Sequence, residues 1–318
     1  MKKTIALLLA TVMLLGILCG CGNTAVKEET GEQINDGEVF EIAFIIKSLQ
    51  SVLWVNMGDA AEQAGKDYSN VNVEVMAPQT PMNVDEQIQL VEQAITKGVD
   101  CICIAPCDST AIVPVLEKAN KAGIMIVTPN TKANGADITC FVGVENYDVG
   151  YTLGTEFCEK LGGQGNVLLL EGKPGVSTSE ERVAGFNDAI KNYPGINLLD
   201  SQATDWDRAK ANTIMENWLQ VYDDIDGVMS LTKDTGLGAI EAMKAAGRND
   251  DILSMTFDID DETVEAIENG DLYATGNQNE RSQGYMAVTM ARLALMGYII
   301  PDNVILPITI ETAETLKK

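Results

Sequence analysis

From Glu41 onward, short apolar and β-branched runs alternate with amphipathic stretches of helical length. The runs that predict strands are Glu41–Ile46, Val71–Met76, Val99–Ala105, Ile124–Thr128 and Ile138–Val142. A second series occupies Asn166–Leu170, Ile196–Asp200, Gly227–Leu231, Ile252–Phe257, Leu272–Thr275 and Ile305–Ile310. Helical periods lie between them: Asn56–Tyr68, Val84–Lys97, Thr110–Ala122, Val149–Leu161, Ser179–Lys191, Arg208–Val221, Leu237–Ala246, Glu262–Asn269 and Ser282–Met296. In Val84–Lys97, for example, Val84, Ile88, Val91 and Ile95 fall on one face of a helix. Continuous apolar strands separated by helices predict an α/β fold with parallel sheets covered on both faces.

A weak internal repeat divides this series. Gly98–Ile104 leads through a loop to a helix ending in Ala122-Gly123 and then to the strand Ile124–Thr128. Asp226–Leu231 leads likewise to a helix ending in Ala246-Gly247 and then to Ile252–Phe257. In each copy the glycine is placed to stop its helix in the left-handed conformation. The 318 residues suit two domains of ~100–200 residues each. Two lobes of one architecture are expected.

The N-terminus belongs to neither lobe. Lys2 and Lys3 precede the apolar run from Ile5 to Leu18, which gives way to Cys19-Gly20-Cys21-Gly22. A basic start, a short apolar stretch and small residues make a secretory signal over residues 1–20. Leu18-Cys19-Gly20-Cys21 also resembles the bacterial lipobox, which would make Cys21 the lipid-modified mature N-terminus. Residues 21–38 then read as a flexible tether. The expected location is the outer face of a bacterial cytoplasmic membrane. Five further cysteines, Cys101, Cys103, Cys107, Cys140 and Cys158, show no C-x2-C pairing. They read as small buried hydrophobes, with one disulfide permitted by the compartment, and not as a metal site.

Charge narrows the function. With 22 Lys+Arg against 47 Asp+Glu, the formal charge is −25, which argues against a nucleic-acid partner. The chain contains no His, so histidine-based nucleophilic and zinc-protease mechanisms are excluded. No Walker or Rossmann glycine pattern sits at a strand–helix junction. Neither a cofactor nor an enzymatic activity is indicated.

Ligands of open α/β sheets bind beyond the carboxyl ends of the strands. The segments there are Lys47 to Trp54, Pro106 to Ser109, Pro129 to Thr131, Gly172 to Gly175 with Arg182, Thr204 to Asp207, Thr232 to Asp234, Asp258, and Asn277 to Asn279. Amides, an Arg, an Asp and two of the chain's three Trp gather in this set. Such a set suits a sugar, whose vicinal hydroxyls take bidentate hydrogen bonds and whose C–H face covers an indole. Blander roles compete. Asp258 could cap a helix, Asp205 or Asp207 reads as the cap of the helix near Arg208, and Asp108-Ser109 reads as another cap. Lys47 and Lys233 read as solvated loop lysines or as cations favouring an acidic sugar, while Trp218, mid-helix, reads as packing.

Three stretches carry a resemblance: Glu171-Gly172-Lys173-Pro174-Gly175 with Glu181-Arg182-Val183-Ala184-Gly185-Phe186, Ala203-Thr204-Asp205-Trp206-Asp207-Arg208, and Thr256-Phe257-Asp258. Here the sequence resembles the type I periplasmic sugar-binding proteins of ABC importers, the ribose- and galactose-binding group, over about Val39 to Leu316. The resemblance implies two Rossmann-like lobes joined by three hinge crossings, near Val144, Gln278 and Leu306. The lobes would be residues 39–144 with 279–305 and residues 145–278 with 306–318. It also implies that Arg182 and Asp258 grip hydroxyls, that Trp206 stacks on the ring, and that Gln278 contributes from a hinge. Lys47, Ser51, Trp54, Asn130, Thr131 and Thr232 complete the expected set.

Departures from the ribose group bear on ligand identity. Its Asp-Arg pair after the fourth strand is Asn130-Thr131 here, its paired Phe are Leu53-Trp54, and Thr232 stands where an Asn is expected. The function implied is capture of a monosaccharide or polyol by hinge closure, by a monomer that hands it to an ABC permease and is held to the membrane by its anchor. The rival expectations are a receptor for a sugar-like signalling ligand and an extracellular sugar-processing enzyme.

Overall fold

The computed structural model describes residues 39–317; the signal, Cys21 and the tether lie outside them. The first six strands are β1 (Phe40–Ile45), β2 (Val71–Met76), β3 (Cys101–Ile104), β4 (Met125–Pro129), β5 (Cys140–Gly143) and β6 (Gln164–Glu171). The remainder are β7 (Gly195–Ala203), β8 (Gly227–Ser230), β9 (Leu253–Phe257), β10 (Ala274–Asn277), β11 (Asn303–Ile305) and β12 (Thr309–Thr312). They form two six-stranded sheets, β11-β5-β4-β3-β1-β2 and β12-β10-β9-β8-β6-β7. Pairing is parallel except that β12 runs antiparallel to β10 at the edge of the second sheet. The α/β, parallel-sheet expectation holds with that one exception.

The helices are α1 (Val52–Asp67), α2 (Val84–Lys97), α3 (Val113–Lys121), α4 (Asn146–Lys160), α5 (Ser177–Ile190), α6 (Arg208–Val221), α7 (Lys233–Ala245), α8 (Asp261–Glu268) and α9 (Glu280–Leu295). Local chemistry sets their ends. The Asn83 side chain accepts from Glu86 N–H at 2.9 Å to start α2, and Gly98, with φ 73°, stops it. Gly123 and Gly247 are also left-handed, as the repeat predicts. Asp260, not Asp258, caps α8, in a capping box with Thr263.

Each sheet is buried on both faces by the alternation of its strands. Along β1, Ile42 and Phe44 enter one core while Ala43 and Ile45 enter the other. Along β6, Leu168 and Leu170 face one core and Val167 and Leu169 the opposite one. Trp218 is packing, in keeping with its mid-helix place: it is 2% exposed and its indole N–H donates to Asp200. The five cysteines among the described residues are all buried and free.

The chain passes between the sheets at residues 144–145, 278–279 and 306–308. Helix α9 comes directly after β10 of the second sheet, yet it gives Ala287, Val288 and Ala291 to the core of the first. The predicted single strand Ile305–Ile310 is therefore two strands in different sheets. Pro307, which has no N–H to give a ladder, lies between them. Helices α1 and α7 also begin four residues before their predicted starts, at Val52 and Lys233. This puts Ser51 and Thr232 at N-cap positions, with no cap hydrogen bond from either side chain.

Candidate ligand-binding site

Strand ends from both sheets surround a cavity of about 340 Å³. Of the sequence-predicted residues, Lys47, Ser51, Trp54, Asn130, Arg182, Trp206, Thr232, Asp258 and Gln278 line it. Thr131 does not; it is fully buried behind the wall, where it receives a hydrogen bond from Lys47. Sequence reasoning did not select Thr178, Met82 or Ile259, which also line the cavity, because only the tertiary fold brings them there.

One continuous chain of hydrogen bonds runs through the hinge. Lys47 Nζ donates to Thr131 Oγ1 at 2.8 Å, and that hydroxyl donates to Asn130 Oδ1 at 2.9 Å. Asn130 Nδ2 donates to Gln278 Oε1 at 2.8 Å, and Gln278 Nε2 donates to Asp258 Oδ1. Gln283, also buried, braces the middle by donating to the Gln278 carbonyl at 2.8 Å. A polar network buried this deeply stands only if its members are satisfied. Here the satisfaction spans both lobes, so the hinge residues hold the two walls in register.

Arg182, 3% exposed, is fixed by three neighbours. Its Nε donates to Asn146 Oδ1 at 2.9 Å, its Nη1 donates to the Leu231 carbonyl at 3.0 Å, and its guanidinium lies 4.0 Å from the Phe257 ring centroid. These bonds use two of its five N–H donors and leave the rest of the fork for a ligand. Asn146, the first residue of α4, is thus a positioning residue that no sequence pattern singles out. Burial lowers Arg182 to about 10, opposed by the Asp258 carboxylate. Arg182 pulls Asp258 down, but not enough to offset its burial. Withdrawal from water outweighs the guanidinium and raises Asp258 to about 6, which still leaves it chiefly ionised at neutral pH.

Backbone strain gathers at the same place. Met82, Asn130, Trp206 and Asp258, all cavity-lining, have φ of 61°, 64°, 65° and 82°. Side chains rarely accept such angles, and they persist only where the surroundings impose them. For Trp206 the surroundings include Gly172: a Cβ there would lie 1.8 Å from the indole Cη2. The glycine in the Gly172-Lys173-Pro174-Gly175 stretch is therefore the floor on which the indole rests. Gly172→Ala is expected to push the ring aside and weaken ligand binding about tenfold, ~1.4 kcal/mol, by titration calorimetry. Unchanged affinity would show that the ring does not contact ligand.

The competing cap roles are resolved by distance. Asp207 caps α6, accepting from Lys210 N–H at 2.6 Å, while Asp205 pairs with Lys210 Nζ. Asp108 accepts from the N–H groups of Thr110 and Ala111, and Ser109 instead receives Ser177 N–H from the opposite lobe at 3.0 Å. Ser109 N–H donates to the Gly175 carbonyl at 3.0 Å, and Lys173 Nζ donates to the Met82 carbonyl at 3.3 Å. The lobes are closed on each other across the cleft. Neither flagged lysine is a solvated loop lysine: Lys47 is 2% exposed, and Lys233 sits in the first turn of α7 paired with Asp260.

The sequence model of the periplasmic binding protein domain family matches residues 42–298. The chain belongs to this family. The ribose import binding protein of Bacillus subtilis is 28% identical over 98% of this chain and 99% of its own length. The D-allose-binding periplasmic protein of Escherichia coli is 30% identical, covering 82% of this chain and 86% of that protein. Among solved structures, an ABC transporter periplasmic solute binding protein from Actinobacillus succinogenes with bound D-allose is 28% identical. It superposes with a TM-score of 0.82 over 87% of this chain and 99% of that one. A solute binding protein from Bacillus halodurans with bound myo-inositol gives 28% and 0.83, over 89% and 98%. Two α/β lobes with mostly parallel sheets are the architecture this chain shares with these solved structures.

Proposed function

We propose that this protein captures a monosaccharide or related polyol between its lobes and delivers it to an ABC importer. The observation that carries the reading is the hinge-spanning hydrogen-bond chain from Lys47 to Asp258, set opposite Arg182 and Trp206 around one cavity. Donors, acceptors and an indole face there match a polyhydroxylated ring, and the relatives named for ribose and allose support that class. A ligand touching both walls favours the closed state over the open one, so occupancy and hinge closure are coupled. The relatives the chain matches are named as binding proteins, which supports binding without chemistry. On this reading the protein works outside the cytoplasmic membrane as a monomer, held by a lipid on Cys21, with the permease as its protein partner. Residues 39–144 with 279–305 and residues 145–278 with 306–318 are its two moving bodies.

The test is a thermal-shift panel of pentoses, hexoses, polyols and sugar acids, then calorimetry on any that shift. A ligand at 100 times its Kd is expected to stabilise the fold by about 2.7 kcal/mol. No shift with any polyhydroxylated ligand would overturn the reading, and turnover of a bound sugar would replace it with an enzyme.

A further inference from the structure

Lys47 is a lysine buried without a counter-ion. Its Nζ bonds Thr131 and lies 5.0 Å from the Trp54 ring centroid, and it lines the cavity at 2% exposure. No carboxylate among the described residues is within ion-pair distance of it, and Arg182 and Lys173, both cations, oppose its charge. The nearby thiol of Cys107, pushed up to about 11 by burial, is neutral at physiological pH.

The carboxylates that do line the cavity are engaged elsewhere. Asp207 caps α6, Asp234 and Asp260 pair with Lys233, and Asp258 is bonded by Gln278 beside Arg182. Arg208, the other lining cation, is bound by Glu241 and Glu262. The residue that could have neutralised Lys47 through Thr131 is Asn130, an amide. The Lys47 end of the cavity therefore holds an amine with no carboxylate to balance it in its protonated form. Its desolvation goes uncompensated until an anion arrives. The acidic surface does not cancel it, since exposed charges beyond ~8 Å are screened at physiological salt.

Resting on the solute-capture reading above, we propose that the ligand carries a carboxylate, as in a uronic or aldonic acid, and that Lys47 receives it. A single ammonium with donors to spare matches the single charge of a carboxylate better than the double charge of a phosphate dianion. Arg182 and Asp258 then hold the hydroxyls. Burial lowers free Lys47 to about 7, so an arriving carboxylate draws a proton onto it.

The experiment compares sugar acids with their parent aldoses and with the matching sugar phosphates, by calorimetry on wild type and Lys47→Met. The acid is expected to bind wild type at least about tenfold tighter than its parent. Lys47→Met is expected to bring the acid-to-parent affinity ratio to about one, whatever it does to the affinity for the parent itself. As an independent readout, acid binding to wild type at pH 7 takes up about half a proton. Its affinity then falls about fivefold from pH 7 to 8, a window in which Asp258 stays ionised and Cys107 neutral. Parent aldose or phosphate binding as tightly as the acid, or a preference surviving Lys47→Met, overturns the proposal and leaves sugar capture standing. If neither acids nor neutral sugars bind, the capture reading fails and takes this one with it.

Discussion

Arg182→Ala is expected to lower ligand affinity by about 100-fold or more, the effect of removing a buried charged group from a binding site. The guanidinium is held by Asn146 and Leu231, so its free N–H groups are already aimed and a bound ligand need not order them. Its loss also strips Asp258 of the cation that opposes its burial, so a carboxyl already at about 6 titrates higher. Above the new value the buried carboxylate destabilises its own wall; below it, the residue can no longer accept as an anion. Asp258→Asn is the companion variant, because Asn tolerates φ 82° and removes only the charge. It should weaken binding in the same direction by a smaller factor. Calorimetric affinities equal to wild type in both variants, with the fold intact by circular dichroism, would remove these residues from the site.

Gly150→Val is expected to cost about 3 kcal/mol or more in chemical denaturation and to weaken binding at the same time. A Cβ at Gly150 would lie 2.1 Å from the Arg182 carbonyl oxygen, and one at Gly185 would lie 2.0 Å from the Tyr147 carbonyl. Helices α4 and α5 thus cross backbone to backbone at two glycines, and no rotamer change relieves contact with a main-chain atom. Moving α5 moves Arg182 with it, which couples the loss of stability to loss of affinity. A variant within about 1 kcal/mol of wild type with unchanged affinity would show that the helices do not meet there. The same contact explains why Gly185 stands close after Arg182 in the sequence stretch that carries the family resemblance.

Much of the site is legible in the sequence because open α/β folds present ligands at strand ends. Of the ten binding residues expected there, nine line the cavity, among them Arg182, Trp206 and Asp258. What escapes depends on distances between segments far apart in sequence. Thr131 resembles a ligand contact because it adjoins Asn130, but its hydroxyl is turned to Lys47 and Asn130 within the wall. Asn146 carries no signal, since an Asn opening a helix reads as an ordinary polar residue until Arg182 is seen to rest on it. The start of α1 differs from the predicted one because Val52-Leu53-Trp54 reads as loop, although it forms the helix's first turn.

The alternation of strand and helix, the two-lobe repeat, the glycines that end helices and the chemistry offered to a ligand are all written in the chain itself. These are local properties, set by periodicity, caps and residue type within a few positions. Three-dimensional packing was needed to assign Ile305 and Ile310 to different sheets and α9 to the lobe it does not directly extend. It was needed equally to leave Lys47 buried with no carboxylate partner among the described residues. Burial and charge balance are sums over segments that meet in space, so no local pattern around Lys47 contains them.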